Sequence, residues 1–347
     1  MRRREFVRAN LAAGALTGAM RHGIGETTRE RVPIGFFGAT HSHAPDKIKL
    51  AMTSPDWEFV GVCDPTDVGR SVCRKLGARI IDESELLSKS VVVAVESEVR
   101  DHARQALLAL GAGKHVHVEK PPASRLADLD SMIAAARAKR VFLQTGYMWR
   151  HHPGFLAIFE AVAQGWLGDP YMVNGLIGNS LAKERRPDWA EFGGGSMFEL
   201  GSHLIDAVVR LLGKPSKVTP FLGHHGRFED TLKDNNVAVF EYPRATALVV
   251  NTALQATSGP QRYFEVLGTN GLARLRPIEP PTLEIDLAQA AGPYAKGLQR
   301  VDLPNYHRYV ADFAELAAAV RGQRPLSTSL DHERTVMETL LQASGMS

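Results

Sequence analysis

Between Val32 and Gln144 short apolar runs alternate with helix-length amphipathic segments, and no other feature restricts the possible folds so severely. Val32 to Phe37, Glu58 to Cys63, Arg79 to Ile81, Ser90 to Val95, His115 to Val118 and Val141 to Gln144 read as strands. Ser90 to Val95 is nearly pure valine, the composition of a strand covered on both faces. Ala44 to Met52 and Asp67 to Leu76 read as helices, and Asp82-x-x-Glu85 as a capping box. Ala103, Ala106, Leu107 and Leu110 form one apolar stripe that ends at Gly111; Leu126, Leu129, Ile133 and Ala136 form another. Strand-helix alternation at this spacing predicts an α/β fold, a doubly wound parallel sheet of Rossmann type.

After Gln144 the pattern changes. Tyr171 to Ile177, Lys217 to Leu222, Asn236 to Tyr242, Thr246 to Ala253 and Tyr263 to Leu267 read as strands, and Asn270-Gly271 as a hairpin turn returning through Leu272 to Leu275. This predicts a second, α+β domain on a mostly antiparallel open sheet, closed by helices carrying Tyr306, Tyr309, Val310, Phe313 and Leu316, then Val336, Met337, Leu340 and Leu341. A length of 347 residues suits two domains, expected at 29–150 and 151–347. The net charge of +3 is too small, and too scattered, to predict a nucleic-acid partner. No apolar run is long enough to predict a membrane span. The only two cysteines, Cys63 and Cys73, read as reduced core residues.

Parallel sheets of this kind bind ligands at the carboxyl ends of their strands. The first strand ends in Gly38-Ala39-Thr40-His41-Ser42-His43, where a dinucleotide fold has Gly-x-Gly-x-x-Gly; only the first glycine is kept. Thr40, His41 and His43 can still offer hydrogen bonds to a cofactor there. The second strand ends at Asp64, which reads either as an acceptor for the adenosine ribose, favouring NAD over NADP, or as a turn residue before Pro65. Lys120 follows the strand His115 to Val118 within Glu119-Lys120-Pro121. Farther on, Gly193-Gly194-Gly195-Ser196 leads to Glu199 and His203, four residues apart on one predicted helix face. A cation, a carboxylate and an imidazole brought together can polarise a hydroxyl and take its proton. A solvated acid-base pair on a surface helix is the plainer reading of Glu199 and His203.

These motifs, Gly113-Lys114-His115-Val116-His117-Val118-Glu119-Lys120-Pro121 and Gly193-Gly194-Gly195-Ser196-Met197-Phe198-Glu199-Leu200-Gly201-Ser202-His203, make the chain resemble the Gfo/Idh/MocA family of nicotinamide-dependent oxidoreductases. The resemblance implies catalytic Lys120 and His203, with Glu199 orienting the imidazole, and a cofactor held by Gly38, Thr40, His41, His43, Asp64, Glu119 and Lys120. It implies a sugar or polyol substrate contacting Lys120, Arg150, Trp189 and His203, and a homodimer or homotetramer built through the open sheet. Arg150 reads equally as a structural ion pair at the domain junction, and Trp189 equally as a core residue. Two departures stand out: the family usually has Asp where Glu199 stands, and the glycine-rich loop is degenerate.

The expected activity is hydride transfer between a secondary hydroxyl of a sugar, glycoside or cyclitol and NAD. Two rivals stay open: a glycosidase or lyase that oxidises its substrate transiently and regenerates NAD in place, and a non-catalytic nucleotide- or sugar-binding relative. Thirteen histidines, with His41/His43 and His115/His117 alternating, raise zinc chemistry, but no Cys or acid stands at ligand spacing and no metal is predicted. Arg3-Arg4-Glu5-Phe6-Val7-Arg8 resembles a twin-arginine export signal. Residues 1–28 are therefore expected to be such a signal, placing the protein in the periplasm, or else a disordered tail on a cytoplasmic protein.

Overall fold

The computed structural model describes residues 30–347, so the twin-arginine-like segment lies outside the described residues. The first alternating region forms five parallel strands: β1 (Val32–Phe37), β2 (Trp57–Cys63), β3 (Val92–Val95), β4 (His115–Val118) and β5 (Leu143–Thr145), ordered β2-β1-β3-β4-β5. All four residues of β3 are fully buried, as its valines require of a central strand. The expected strand Arg79 to Ile81 is reduced to one bridge between Ile80 and Val62, on the outer side of β2. Helices α1 (Ala44–Thr53), α2 (Asp67–Leu76), α3 (Glu83–Lys89), α4 (Val99–Gly111) and α5 (Leu126–Lys139) connect the strands. Local chemistry sets their ends: the Thr66 side chain accepts from the Gly69 N–H, Gly77 closes α2 in the left-handed region, and Asp82 accepts from the Glu85 N–H. The chain reverses between β1 and β3, the switch point at which such sheets bind ligands.

Helix α6 (Pro153–Ala163) leads to a second sheet of eight strands: β6 (Pro170–Gly178), β7 (Lys217–Gly223), β8 (Asn235–Tyr242), β9 (Ala245–Thr252), β10 (Tyr263–Gly268), β11 (Gly271–Leu275), β12 (Leu283–Leu287) and β13 (Gly297–Val301). Their order is β13-β12-β11-β10-β6-β9-β8-β7, antiparallel throughout except for the β6–β9 pair. The short helix α7 (Arg186–Ala190) and then α8 (Ser202–Leu212) follow β6 in the chain. Helix α8 lies on the buried face of the sheet. Gly175 of β6 permits this approach, because a Cβ there would stand 3.0 Å from Leu204 Cδ1. The other face, in register across five strands, carries Met172, Leu176, Val239, Leu248, Val250 and Leu267, with Phe221 59% exposed.

The last helices, α9 (Val310–Val320) and α10 (Leu330–Ala343), were expected with the second sheet from their place in the chain. In space α9 packs on the first sheet, and α10 lies between the halves, against α8 and β7 on one side and α5 on the other. The Phe313 ring lies 5.9 Å from that of Trp57 and 4.9 Å from that of His117, and Arg321 pairs with Asp56. Asp331 pairs with Arg137 and Arg334 with Asp130, tying α10 to α5. Among the described residues no helix is long and apolar enough to cross a membrane, and Cys63 and Cys73 are both free.

Candidate active site

A cavity of about 290 Å³ opens between the carboxyl ends of the parallel strands and the segment leading into α8. Lys120 reaches it from the end of β4, and Glu199 and His203 reach it from the other half of the chain; all three line it. The local fold explains the convergence. Met197–Gly201 forms a single π-helical turn that runs into α8. Such turns loosen the regular carbonyl ladder and recur at functional sites. Here the Glu199 carbonyl accepts from Lys120 Nζ at 3.1 Å and from the Ser202 hydroxyl at 3.1 Å. Lys120 Nζ is also 3.7 Å from Glu199 Oε2. Burial pushes the Glu199 carboxyl up to about 7, against the pull of Lys120.

His203 is 3% exposed, and among the described residues its Nδ1 has no hydrogen-bond partner. Glu199 therefore faces the lysine and does not orient the imidazole, contrary to expectation. The π turn breaks the regular i to i+4 register between the two residues, and Glu199 turns toward the Lys120 ammonium. Aromatic contacts hold His203, with Trp149 at 5.0 Å, Tyr147 at 6.2 Å edge-on and His43 at 6.3 Å between ring centroids. Burial, then the charge of Lys120, keeps its pKa well below the usual histidine range, so the ring is neutral near pH 7.

His41 and His43 also line the cavity, their rings 4.7 Å apart. His43 takes the place of the third glycine, with its ring 5.3 Å from Tyr309 and Nδ1 3.2 Å from Glu119 Oε1. Glu119 does not face the cavity. It is fully buried, accepts from the Lys120 backbone N–H at 2.9 Å and is ion-paired with Lys47, which also binds Glu96 at 2.8 Å. Burial opposes the Lys47 charge, but Glu119 and Glu96 outweigh it and raise its pKa. Sequence reading missed Lys47, although its place on the inward stripe Ala44, Lys47, Ile48 and Ala51 marked it. Two groups of ligand-type side chains meet here, His41 with His43 and Glu119, and Glu96 with His117 and Glu119. In both, the Lys47 ammonium is already paired with the carboxylates.

The strand ends fit a nicotinamide dinucleotide. Gly38 has φ 79°, and a Cβ there would lie 2.6 Å from the Ser97 backbone, so the retained glycine is obligatory. Beyond it the N–H groups of Thr40 and Ser42 have no acceptor among the described residues, which leaves them to a phosphate oxygen. Asp64 stands at the end of β2 but turns inward. Its oxygens accept from the N–H of Ala39 at 2.8 Å, the N–H of Thr66 at 2.8 Å and the Thr66 hydroxyl at 2.6 Å, the geometry of the turn reading. Oδ1 is filled by the two Thr66 donors, so Oδ2, which accepts only from Ala39, keeps the acceptor capacity for a ribose hydroxyl.

Trp189 is half-buried and lines the cavity; Arg150 does not. The Arg150 guanidinium is 4% exposed and is engaged by Asp206 at 2.7 Å and Glu333 at 2.5 Å, the ion-pair alternative. Sequence reading also missed Trp149, Asn179, Arg185, Arg262 and Arg308, which complete the walls from loops.

The comparisons agree with this architecture. Residues 32–147 match the family model described as an oxidoreductase family, NAD-binding Rossmann fold, and residues 155–274 match the GFO/IDH/MocA C-terminal domain. The chain is 30% identical over 195 residues to mouse trans-1,2-dihydrobenzene-1,2-diol dehydrogenase, covering 55% of this chain and only 56% of that enzyme. It is 29% identical over 275 residues to inositol 2-dehydrogenase of Salmonella paratyphi B, covering 76% of each. A gentamicin A biosynthesis protein solved in complex with NAD superposes with a TM-score of 0.77 at 23% identity, over 95% of this chain and 97% of its own. With its parallel-sheet half and its open-sheet half each matched in order, the chain belongs to the Gfo/Idh/MocA family of oxidoreductases.

Proposed function

We propose that the protein oxidises a secondary hydroxyl of a sugar, glycoside or cyclitol, with NAD as the cofactor. The observation that carries this is the presence of Lys120, Glu199 and His203 on one cavity wall system at the switch point of a Rossmann sheet. The Thr40 and Ser42 N–H groups would hold the pyrophosphate beside Gly38, with His41 and His43 farther along the turn. Asp64 would accept from the ribose and repel a 2′-phosphate. Bound nicotinamide supplies the hydride acceptor.

The chain's own residues manage the proton and the charge. Neutral His203 accepts the hydroxyl proton, and the Lys120 ammonium stabilises the alkoxide as it forms. Glu199 balances the Lys120 charge, so that the imidazolium produced at His203 is not opposed by an uncompensated cation. The half-buried Trp189 offers an aromatic plane to the C–H face of a sugar ring. Inositol 2-dehydrogenase and dihydrodiol dehydrogenase, by their names, act on ring hydroxyls, which supports this substrate class. The apolar outer face of the second sheet supports a homodimer or homotetramer formed by two such faces packing together.

Mass spectrometry of the purified protein, followed by a sugar and polyol screen with NAD and with NADP, tests the reading. Co-purified or preferred NAD and stoichiometric NADH release are expected. Product formed without net NADH would point to the cofactor-recycling lyase or glycosidase instead.

A further inference from the structure

Four cationic side chains line the cavity: Lys120, Arg185, Arg262 and Arg308. Three of them have acids. Lys120 is 3.7 Å from Glu199, Arg185 is 2.8 Å from Asp188, and Arg308 is paired through two nitrogens with Glu279. Arg262 stands apart. Its Nε donates to the Gly178 carbonyl at 2.9 Å, which fixes the plane of the guanidinium. Among the described residues no carboxylate lies in ion-pair range of it, and its two terminal nitrogens have no acceptor. The residue is half-buried on the cavity wall, where burial disfavours its charge and Arg308 adds to the strain while Glu279 relieves part of it. A guanidinium anchored through Nε presents its two terminal nitrogens in a fixed plane, the geometry that pairs with two oxygens of one anionic group.

We propose that Arg262 binds a carboxylate of the substrate, so that the enzyme acts on an acidic sugar, a uronic acid or a glycoside of one, in preference to its neutral counterpart. This rests on the oxidoreductase reading above and names its substrate class. The carboxylate would pair with the terminal nitrogens while the reacting hydroxyl meets Lys120 and His203 elsewhere on the same cavity. A neutral sugar that covers the guanidinium would take water from its terminal nitrogens without giving them a charged acceptor, which costs affinity.

The test is calorimetric titration of the NAD-loaded full chain with paired ligands: uronates and uronic-acid glycosides, their neutral counterparts, and the corresponding sugar 6-phosphates. Wild type is expected to bind the best uronate roughly 100-fold more tightly than its neutral partner. Arg262→Gln should bring that ratio close to one, and Arg262→Lys should restore part of it. Neutral ligands binding as tightly as acids, or Arg262→Gln keeping the uronate affinity, would overturn the proposal. Phosphates binding more tightly than every uronate would overturn the carboxylate assignment. The wild-type comparison among ligands decides even if a variant does not fold. Selective binding of acids without turnover would keep this inference and sink the redox reading; Arg262-independent turnover of neutral sugars would do the reverse.

Discussion

At the scale of single residues, the chemistry turns on three buried groups that set one another's charge. His203 is already neutral, so its readiness as a base is not what limits the site at low pH. Glu199 is. With its carboxyl pushed up to about 7, it is protonated and uncharged below that pH and ionised above it. While it is protonated, the Lys120 charge has no counterion 3.7 Å away and opposes proton uptake by His203. Oxidation should therefore speed up as pH rises through about 7 and then level off. In Glu199→Gln this inflection should vanish and the plateau in kcat/KM should fall roughly 10- to 100-fold. A pH profile of kcat/KM for both proteins checks this, and an unchanged inflection in the variant would rule out Glu199 as its source.

The residues themselves were legible unevenly. Lys120 stands out as the one ionisable group its motif delivers to the cavity, and His203 as the imidazole that a second motif delivers together with Glu199. The direction of the Glu199 side chain was hidden, since i to i+4 spacing implies a shared helix face and nothing in the sequence marks the π turn at Met197–Gly201. The cationic walls, Arg185, Arg262 and Arg308, come from loops, and only tertiary folding brings them to one cavity.

At the scale of elements, Arg150 joins three pieces of the molecule. It follows β5 in the chain, pairs with Asp206 on α8 and with Glu333 on α10, and stacks on Tyr147 at 4.8 Å. Removing the cation would leave the buried Glu333 carboxylate without its counterion and Asp206 with only His332 at 3.2 Å among the described residues, a loss of about 3–5 kcal/mol. Arg150→Met should thus lower the denaturant midpoint sharply while the KM of the folded fraction changes little. Had Arg150 served as a substrate ligand, KM would rise with stability nearly intact. Elements with clear periodicity were readable, down to the bounds of β1, β4 and α2. Helix α6 was not, because Pro153–Ala163 is apolar nearly all round and lacks a polar face to betray its period. Strands β12 and β13 escaped notice as well: one follows Pro277, Pro280 and Pro281, and the other alternates between exposed and half-buried positions at the sheet edge. The parallel β6–β9 pair was likewise invisible, since alternation reports faces and not neighbours.

At the scale of the whole molecule, a parallel sheet supplies Lys120 and a helix carried on an open sheet supplies His203, and neither half contains the site alone. The C-terminal helices hold the halves in register, α9 through Phe313 and Arg321 and α10 through its ties to Arg137, Asp130 and Arg150. The alternation in the first half announced the cleft, but the closing role of α9 and α10 depends on contacts between distant parts of the chain. The central claim is that the Lys120 ammonium acts on the reacting oxygen. It is tested most directly by comparing wild type with Lys120→Ala for NADH formation on the best substrate and for NAD affinity by calorimetry. The variant should lose roughly a thousandfold or more in kcat with NAD affinity changed only severalfold; turnover at the wild-type rate would contradict the account.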